Sequence, residues 1–287
     1  MNPPQLWHNR TAVLATMHQK ERAIAPILEA ELGIKIRVPP DFNTDIFGTF
    51  TREVKRLGTQ IEAARLKAEK AIELTGETLA LASEGTFGPH PAIPYLPSNR
   101  EIVLLLDRAN HLEIIGESFS TETNYSHQLV SSLDEANDFA KTVGFPEHAL
   151  VIIFGDKAES QCEIIKGITT EKQLTEAVRK GLKQSLTGKI HIETDMRAMY
   201  NPTRMKNIAN ATLNLIQKIN QLCPDCTWPG FDVVERKRGL PCGLCSFPTP
   251  LTRSLLYQCK KCGFSQEELF PDGKATADPS LCEYCNP

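Results

Sequence analysis

The sequence predicts an α/β protein: a mixed sheet covered by helices over residues 1–222, followed by a small double zinc ribbon over residues 223–287. Three observations carry this. Apolar runs of strand length alternate with segments of helical spacing through the first three quarters of the chain, the pattern of a sheet covered by helices. Eight of the nine cysteines fall after Leu222 as four C-x-x-C pairs. Finally, 41% apolar and 23% charged residues make an ordinary globular composition, and a chain of this length holds one core domain plus a small module.

The elements follow in order. Ala12 to Ala15 reads as a short strand and Glu21 to Leu32 as a helix, with Ile24, Ile27, Leu28 and Leu32 on one face and Gly33 at its end. Ile34 to Val38 is a second strand. A Pro/Asp/Asn loop leads to a long helix from Gln60 to Thr75, where Ile61, Ala64, Ala68, Ala71 and Ile72 keep helical spacing. Leu79 to Ala82 is strand-like, and Ile102–Asp107 with Leu112–Phe119 forms a hairpin turning at Ala109-Asn110. Ser132 with Glu135 and Thr170 with Gln173 carry capping-box spacing for helices reaching about Val143 and Ser185, with strands around Leu150 and Ile164 between them. A last long helix starts near Pro202 and runs to Leu222. The whole implies one mixed sheet in one domain.

The pairs Cys223/Cys226, Cys242/Cys245, Cys259/Cys262 and Cys282/Cys285 each aim two thiolates at one point, and two such knuckles close a Cys₄ shell around zinc. Four knuckles therefore predict two structural zinc ions, which hold a fold and leave no open coordination position for chemistry. The knuckles can pair in three ways. Spacing favours a nested arrangement, with Cys242 to Cys262 an inner ribbon around a strand containing Leu255, Leu256 and Tyr257, and the outer two pairs closing the second site. Sequential pairing is the close alternative. A disulfide reading would need export, and the opening MNPPQLWHNR has no basic start followed by an apolar run; reduced, metal-bound thiols in the cytoplasm are expected. Cys162 stands alone in an apolar stretch and reads as a buried small hydrophobe.

No apolar run is long enough to cross a bilayer. The formal net charge of −3 argues against attraction of the whole chain to nucleic acid, although Arg236, Lys237, Arg238, Lys260 and Lys261 make the cysteine module locally basic. Nucleic acid or protein thus stays open as a partner for the ribbon.

Three segments carry a resemblance. VLATMHQKERAIAPILEAELGI (Val13–Ile34), TQIEAARLKA (Thr59–Ala68) with LALASEGTFG (Leu79–Gly88), and NPTRMKNIANATLNLI near the end of the domain resemble, in order and spacing, the inosine triphosphate pyrophosphatase superfamily. Its T-x-x-E-N-A-x-x-K-A helix is matched at Thr59, Glu62, Ala64, Lys67 and Ala68, with Ala63 for the usual Asn; its terminal S-H-R is matched at Arg204, with Pro202 and Thr203 in place of Ser-His. SEGTFGPHP and ETDMRAMYNPTRM together with the knuckle tail also resemble an uncharacterised bacterial family with a domain of unknown function.

The superfamily resemblance implies Mg²⁺-dependent attack of water on a nucleoside triphosphate, releasing pyrophosphate. Glu62 and Glu84 would hold Mg²⁺ and serve catalysis, Thr16, Lys20 and Lys67 would contact phosphate, and Arg204 would approach the base. The sequence departs from the pattern at Lys20, only two residues beyond His18, and at Ser83, where many members carry a second aspartate. The plain readings stand beside these. Glu62 and Lys67 can be solvated charges on an exposed helix, and Glu84 can cap a turn. Glu193 to Arg204 can be a buried salt-bridge cluster, and His18, His90 and His148 form no metal-ligand pair. No nucleophilic triad is legible. The leading expectation is a nucleotide hydrolase. Its competitor is a binding protein that keeps a nucleotide or nucleic-acid pocket without turnover.

Overall fold

The computed structural model describes residues 3–40, 42–44, 58–155 and 163–286. Two compact units emerge, residues 9–215 and residues 1–8 with 216–287; the expected boundary near 222 lies a few residues past this division. Cys162 falls outside the described residues.

A short helix, α1 (Pro3–Trp7), precedes β1 (Thr11–Ala15), an apolar TAVLA strand buried along nearly its whole length. Helix α2 (Glu21–Leu32) buries Ile24, Leu28 and Leu32 and stops at Gly33, whose φ of 62° is the left-handed C-cap that only glycine adopts without cost. Strand β2 (Lys35–Arg37) runs parallel to β1. Helix α3 (Gln60–Thr75) begins on a full capping box between Thr59 and Glu62 and ends at Gly76. Then come β3 (Leu79–His90), parallel to β1, and β4 (Ile93–Asp107) and β5 (Leu112–Ser120), both antiparallel additions. The sheet order is β2-β1-β3-β4-β5. On one face Val13, Ala15, Ala80, Ala82, Ile102 and Leu104 pack against Ala64, Ala68, Ala71 and Ile72 of α3. Alanine on both sides lets helix and sheet approach closely.

The chain then builds a second sheet from β6 (His127–Val130), β7 (Leu150–Phe154), β8 (Glu163–Ile168) and β9 (Ile190–Thr194), all antiparallel, in the order β6-β9-β7-β8. Helices α4 (Leu133–Thr142) and α5 (Glu171–Gln184) cover one face, their apolar sides joining Val130, Leu150, Ile152, Phe154, Ile168, Ile190 and Ile192. The single sheet expected from the sequence is therefore two. Thr170 and Gln173 form the anticipated capping box, whereas the Glu135 carboxylate accepts from the Ser131 N–H and only the Ser132 half of the other box is made.

After a 3₁₀ turn at Ala198–Tyr200, α6 (Pro202–Asn220) begins. Its backbone lies on the face of the first sheet opposite α3: a Cβ at Gly116 of β5 would collide with the Ala211 carbonyl and the Leu215 amide. The cysteine-bearing unit is a meander of β10 (Asp232–Arg238), β11 (Thr252–Gln258) and β12 (Ser265–Leu269). Among the described residues no helix is long and apolar enough to cross a membrane.

Candidate functional site

Parallel pairing brings the candidate residues together. Leu14 faces Leu81 and Ala15 faces Ala82 in the β1–β3 register, so Thr16, just past the carboxyl end of β1, where open α/β sheets place ligands, lies beside Ser83 within β3. The turn between β1 and α2 reaches the surface at Met17, 44% exposed, and passes through Gln19 at φ 58°. It delivers Lys20 immediately before α2, and the Lys20 ammonium donates to the Ser83 carbonyl at 2.9 Å. Thr16 and Ser83 are buried, at 4% and 2% exposure, yet among the described residues neither hydroxyl has a hydrogen-bond partner. A buried unsatisfied hydroxyl costs about 1–3 kcal/mol. Thr16 and Ser83 thus present two buried polar groups near the Lys20 ammonium.

Helix α3 supplies the next groups from its buried face. Gln60 donates to the Glu84 and Arg100 carbonyls at 2.7 and 2.9 Å. Two turns on, Lys67 forms a buried ion pair with the Glu84 carboxylate. Strand alternation explains why Glu84 reaches α3: it shares the face of Ala80 and Ala82, while Ser83 and Gly85 point to the other side.

Glu62 is not brought into this cluster. At about 100° per residue it lies roughly 200° around α3 from Gln60, and it is exposed. Its carboxylate accepts from the Thr59 N–H at 2.7 Å, and that bond, with the Thr59 hydroxyl contact, holds its pKa below the ordinary value. Glu62 caps the helix, which explains its place in the sequence pattern.

On the opposite face, Arg204 of α6 is buried against Glu101 of β4, Nε donating to Oε1 at 2.9 Å, with both side chains at 0% exposure. Its other nitrogens reach the Met196 carbonyl and Glu101 Oε2, and the guanidinium lies 5.3 Å from the Phe87 ring centroid. Glycine at 85 is required, because a Cβ there would strike Glu101 and Arg204. Asn99 donates to Glu101 Oε1 at 3.0 Å, and Asn207 donates to Asn99 at 2.9 Å. The Arg204 N–H donates to Asn201 at 2.9 Å. This network orients Arg204 from several sides.

Lys20, Lys67 and Arg204 thus lie near Glu84 and Glu101, three cations against two carboxylates. Burial pulls the Lys20 ammonium from 10.5 down to about 7, and Arg204 and Lys67 push the same way while Glu84 and Glu101 resist. With Lys20 protonated, a bound anion would balance the excess positive charge of these described residues.

The structure therefore gathers Thr16, Lys20, Lys67, Glu84 and Arg204 and leaves Glu62 apart. Glu101 and Gln60 were not anticipated. No local signal marks Glu101, because it precedes the apolar run Ile102–Leu106 like any polar residue entering a strand. Mg²⁺ does not fit this donor set. Both buried carboxylates are engaged by cations, and among the described residues the only groups of three or more metal-type ligands are cysteines.

Those cysteines form two cages, Cys223/Cys226/Cys259/Cys262 and Cys242/Cys245/Cys282/Cys285. Sγ–Sγ distances of 3.6 to 3.9 Å match the roughly 3.8 Å edge of a tetrahedron with metal–sulfur bonds of about 2.3 Å. Each cage can hold one metal ion. The knuckles repeat one turn: the N–H of the residue after the second cysteine donates to the first cysteine's carbonyl, from Thr227, Ser246, Gly263 and Asn286 at 2.8 to 3.0 Å.

The pairing is interleaved, first knuckle with third and second with fourth, which corrects both the nested and the sequential expectations. Strand direction is the reason. One strand separates each knuckle from the next, and in β10–β11–β12 each strand reverses the chain. Asp232 pairs with Gln258, so the first and third knuckles meet at one end of the meander; Arg238 pairs with Thr252 and Ser254 with Leu269, which sends the second and fourth to the other. The local basic run is also offset, since residues 223–287 hold seven Lys and Arg against eight Asp and Glu before the charge of the thiolates is counted.

A family model described as Domain of unknown function (DUF6671) matches residues 67–287. No curated protein matches the chain.

Proposed function

The chain belongs to that family, and from this premise we propose that residues 9–215 bind the phosphates of a nucleotide in the Thr16–Lys20–Ser83 cluster, while the two cysteine cages hold structural zinc. One observation carries the phosphate reading: two buried hydroxyls that find no partner among the described residues stand beside a lysine whose charge is destabilised by burial and by neighbouring cations. Thr16 and Ser83 would donate to phosphate oxygens and Lys20 would neutralise them. Lys67 and Arg204 would add field while tied to their carboxylates. The nucleotide part of the proposal rests on the superfamily resemblance of Val13–Ile34, Thr59–Ala68 and the start of α6. Zinc rests on the all-thiolate, tetrahedral donor set, and such cages persist in a reducing compartment such as the cytoplasm.

Hydrolysis of a phosphoanhydride is the second reading, favoured by the position of Glu84 among the cations. Glu84→Gln separates the two. A binding site that uses Glu84 only to restrain Lys67 is expected to hold nucleoside triphosphate as tightly or more tightly once that negative charge is gone. A hydrolase that uses the carboxylate is expected to lose pyrophosphate release on the order of a hundredfold, about 3 kcal/mol of transition-state stabilisation. Assaying binding and pyrophosphate release with adenosine, guanosine, cytidine, uridine and inosine triphosphates decides the matter. Absence of both binding and release by the wild-type protein would remove the nucleotide proposal.

A further inference from the structure

We propose that a line of aromatic side chains leading away from the Lys20 cluster stacks successive bases of a single-stranded nucleic acid whose 5′-phosphate occupies that cluster. This rests on the phosphate reading above and extends it from a free nucleotide to the end of a strand.

The line begins at Phe87, over which the Arg204 guanidinium lies at 5.3 Å. Phe87 and Tyr125 have centroids 5.8 Å apart at an interplanar angle of 30°, and His127 and His191 are 5.4 Å apart at 31°. Tyr125 and His127 join the two pairs at 6.2 Å and 60°.

Among the described residues, sheet alternation turns the far half of this line away from the covering helices. Val130, Ile190 and Ile192 turn toward α4 and α5, so His127, Leu129, His191 and Glu193 occupy the other face of the four-stranded sheet. His127 and Leu129 are exposed there, Leu129 at 61%. In the β6–β9 register His127 faces Glu193 and Leu129 faces His191.

Size and charge select the occupant. The centroid steps of 5.4 to 6.2 Å exceed the rise of about 3.4 Å between stacked bases in a duplex strand, which suits bases splayed onto separate ring pairs. A mononucleotide carries one base and so can occupy at most one of these ring pairs, whereas a strand can occupy both. Glu193, hydrogen-bonded with the His191 ring at 3.2 Å, disfavours phosphate at the far end and leaves it to bases. Cations lie at the near end and rings with a carboxylate at the other, so the phosphate end of the ligand is fixed.

The test titrates the full-length, zinc-loaded protein with 5′-phosphorylated single-stranded DNA and RNA hexanucleotides, the same strands without the phosphate, and the corresponding 5′-mononucleotides. At least one phosphorylated strand is expected to bind tenfold or more tightly than its mononucleotide and to weaken when its 5′-phosphate is removed. His127→Ala, an exposed substitution, is expected to weaken strand binding about fivefold or more, the loss of one stacked base, and to leave mononucleotide binding and the thermal midpoint unchanged. Strands that bind no more tightly than mononucleotides, or a His127→Ala effect that is absent or equal for both ligands, would overturn the stacking line while leaving the phosphate site standing. Failure of both ligands to bind would overturn the two together.

Discussion

Protein purified without chelator is expected to carry two zinc ions per chain, and the double variant Cys226→Ser/Cys262→Ser to carry one. These two cysteines belong to the same cage. Nested or sequential wiring would put them in different cages, and the same substitutions would then damage both. Metal analysis of this variant therefore reads the connectivity directly. The energetic stake is large. Zinc contributes roughly 10–16 kcal/mol to a small thiolate site, whereas the buried cluster around the first cage contains little beyond Cys223, Phe231 and Cys259. Chelation is expected to unfold β10 to β12 while residues 9–215 keep their circular dichroism and protease resistance; a wild-type count of one zinc or none would contradict the cages.

Arg204→Met is expected to lower the stability of the α/β unit by about 3–5 kcal/mol, because it strands the Glu101 carboxylate in a dry interior. Both side chains are fully buried, and Asn99 alone cannot replace the guanidinium. Pairing the change with Glu101→Gln removes the stranded charge and keeps an acceptor for Asn99, so the double variant should recover much of the loss. Urea unfolding of the single and double variants measures both effects. A single variant within about 1 kcal/mol of wild type would mean that Arg204 is hydrated and does not anchor α6.

Local signals in the sequence located most of the elements. The bounds of α2 follow from helical spacing with Gly33 as a stop, those of α3 from helical spacing, and the Ile102–Asp107 hairpin follows from its apolar run and turn. What escaped was non-local. The extension of β3 and β4 past Ala82 carries Gly and Pro, which read as loop, because a two-stranded ribbon outside the core has no apolar alternation to show. Strand β6 is four residues with three exposed, so the second sheet had no visible edge. The site divides the same way. Thr16, Lys20, Lys67, Glu84 and Arg204 come together, but Glu62 matches the motif for a reason of its own, helix capping. Glu101 became visible only when β4 paired beside β3. The interleaved cages were legible in principle, since one strand between successive knuckles sends them alternately to opposite ends.

The central claim is that the Thr16–Lys20–Ser83 cluster is a phosphate site, and it is tested most directly by calorimetric titration with nucleoside triphosphate at pH 7.5 and pH 9. Phosphate groups, with a second pKa of about 6, are essentially fully ionised across that range, so any change comes from the protein. In the free protein Lys20 loses its proton near pH 7, and a bound anion favours the ammonium and raises that value. Binding should therefore take up a proton, and affinity should fall as pH rises, by as much as about tenfold per pH unit. Lys20→Met should bind weakly at both pH values and lose the dependence. Tight binding that is indifferent to pH and survives Lys20→Met, or no binding at either pH, would contradict the account.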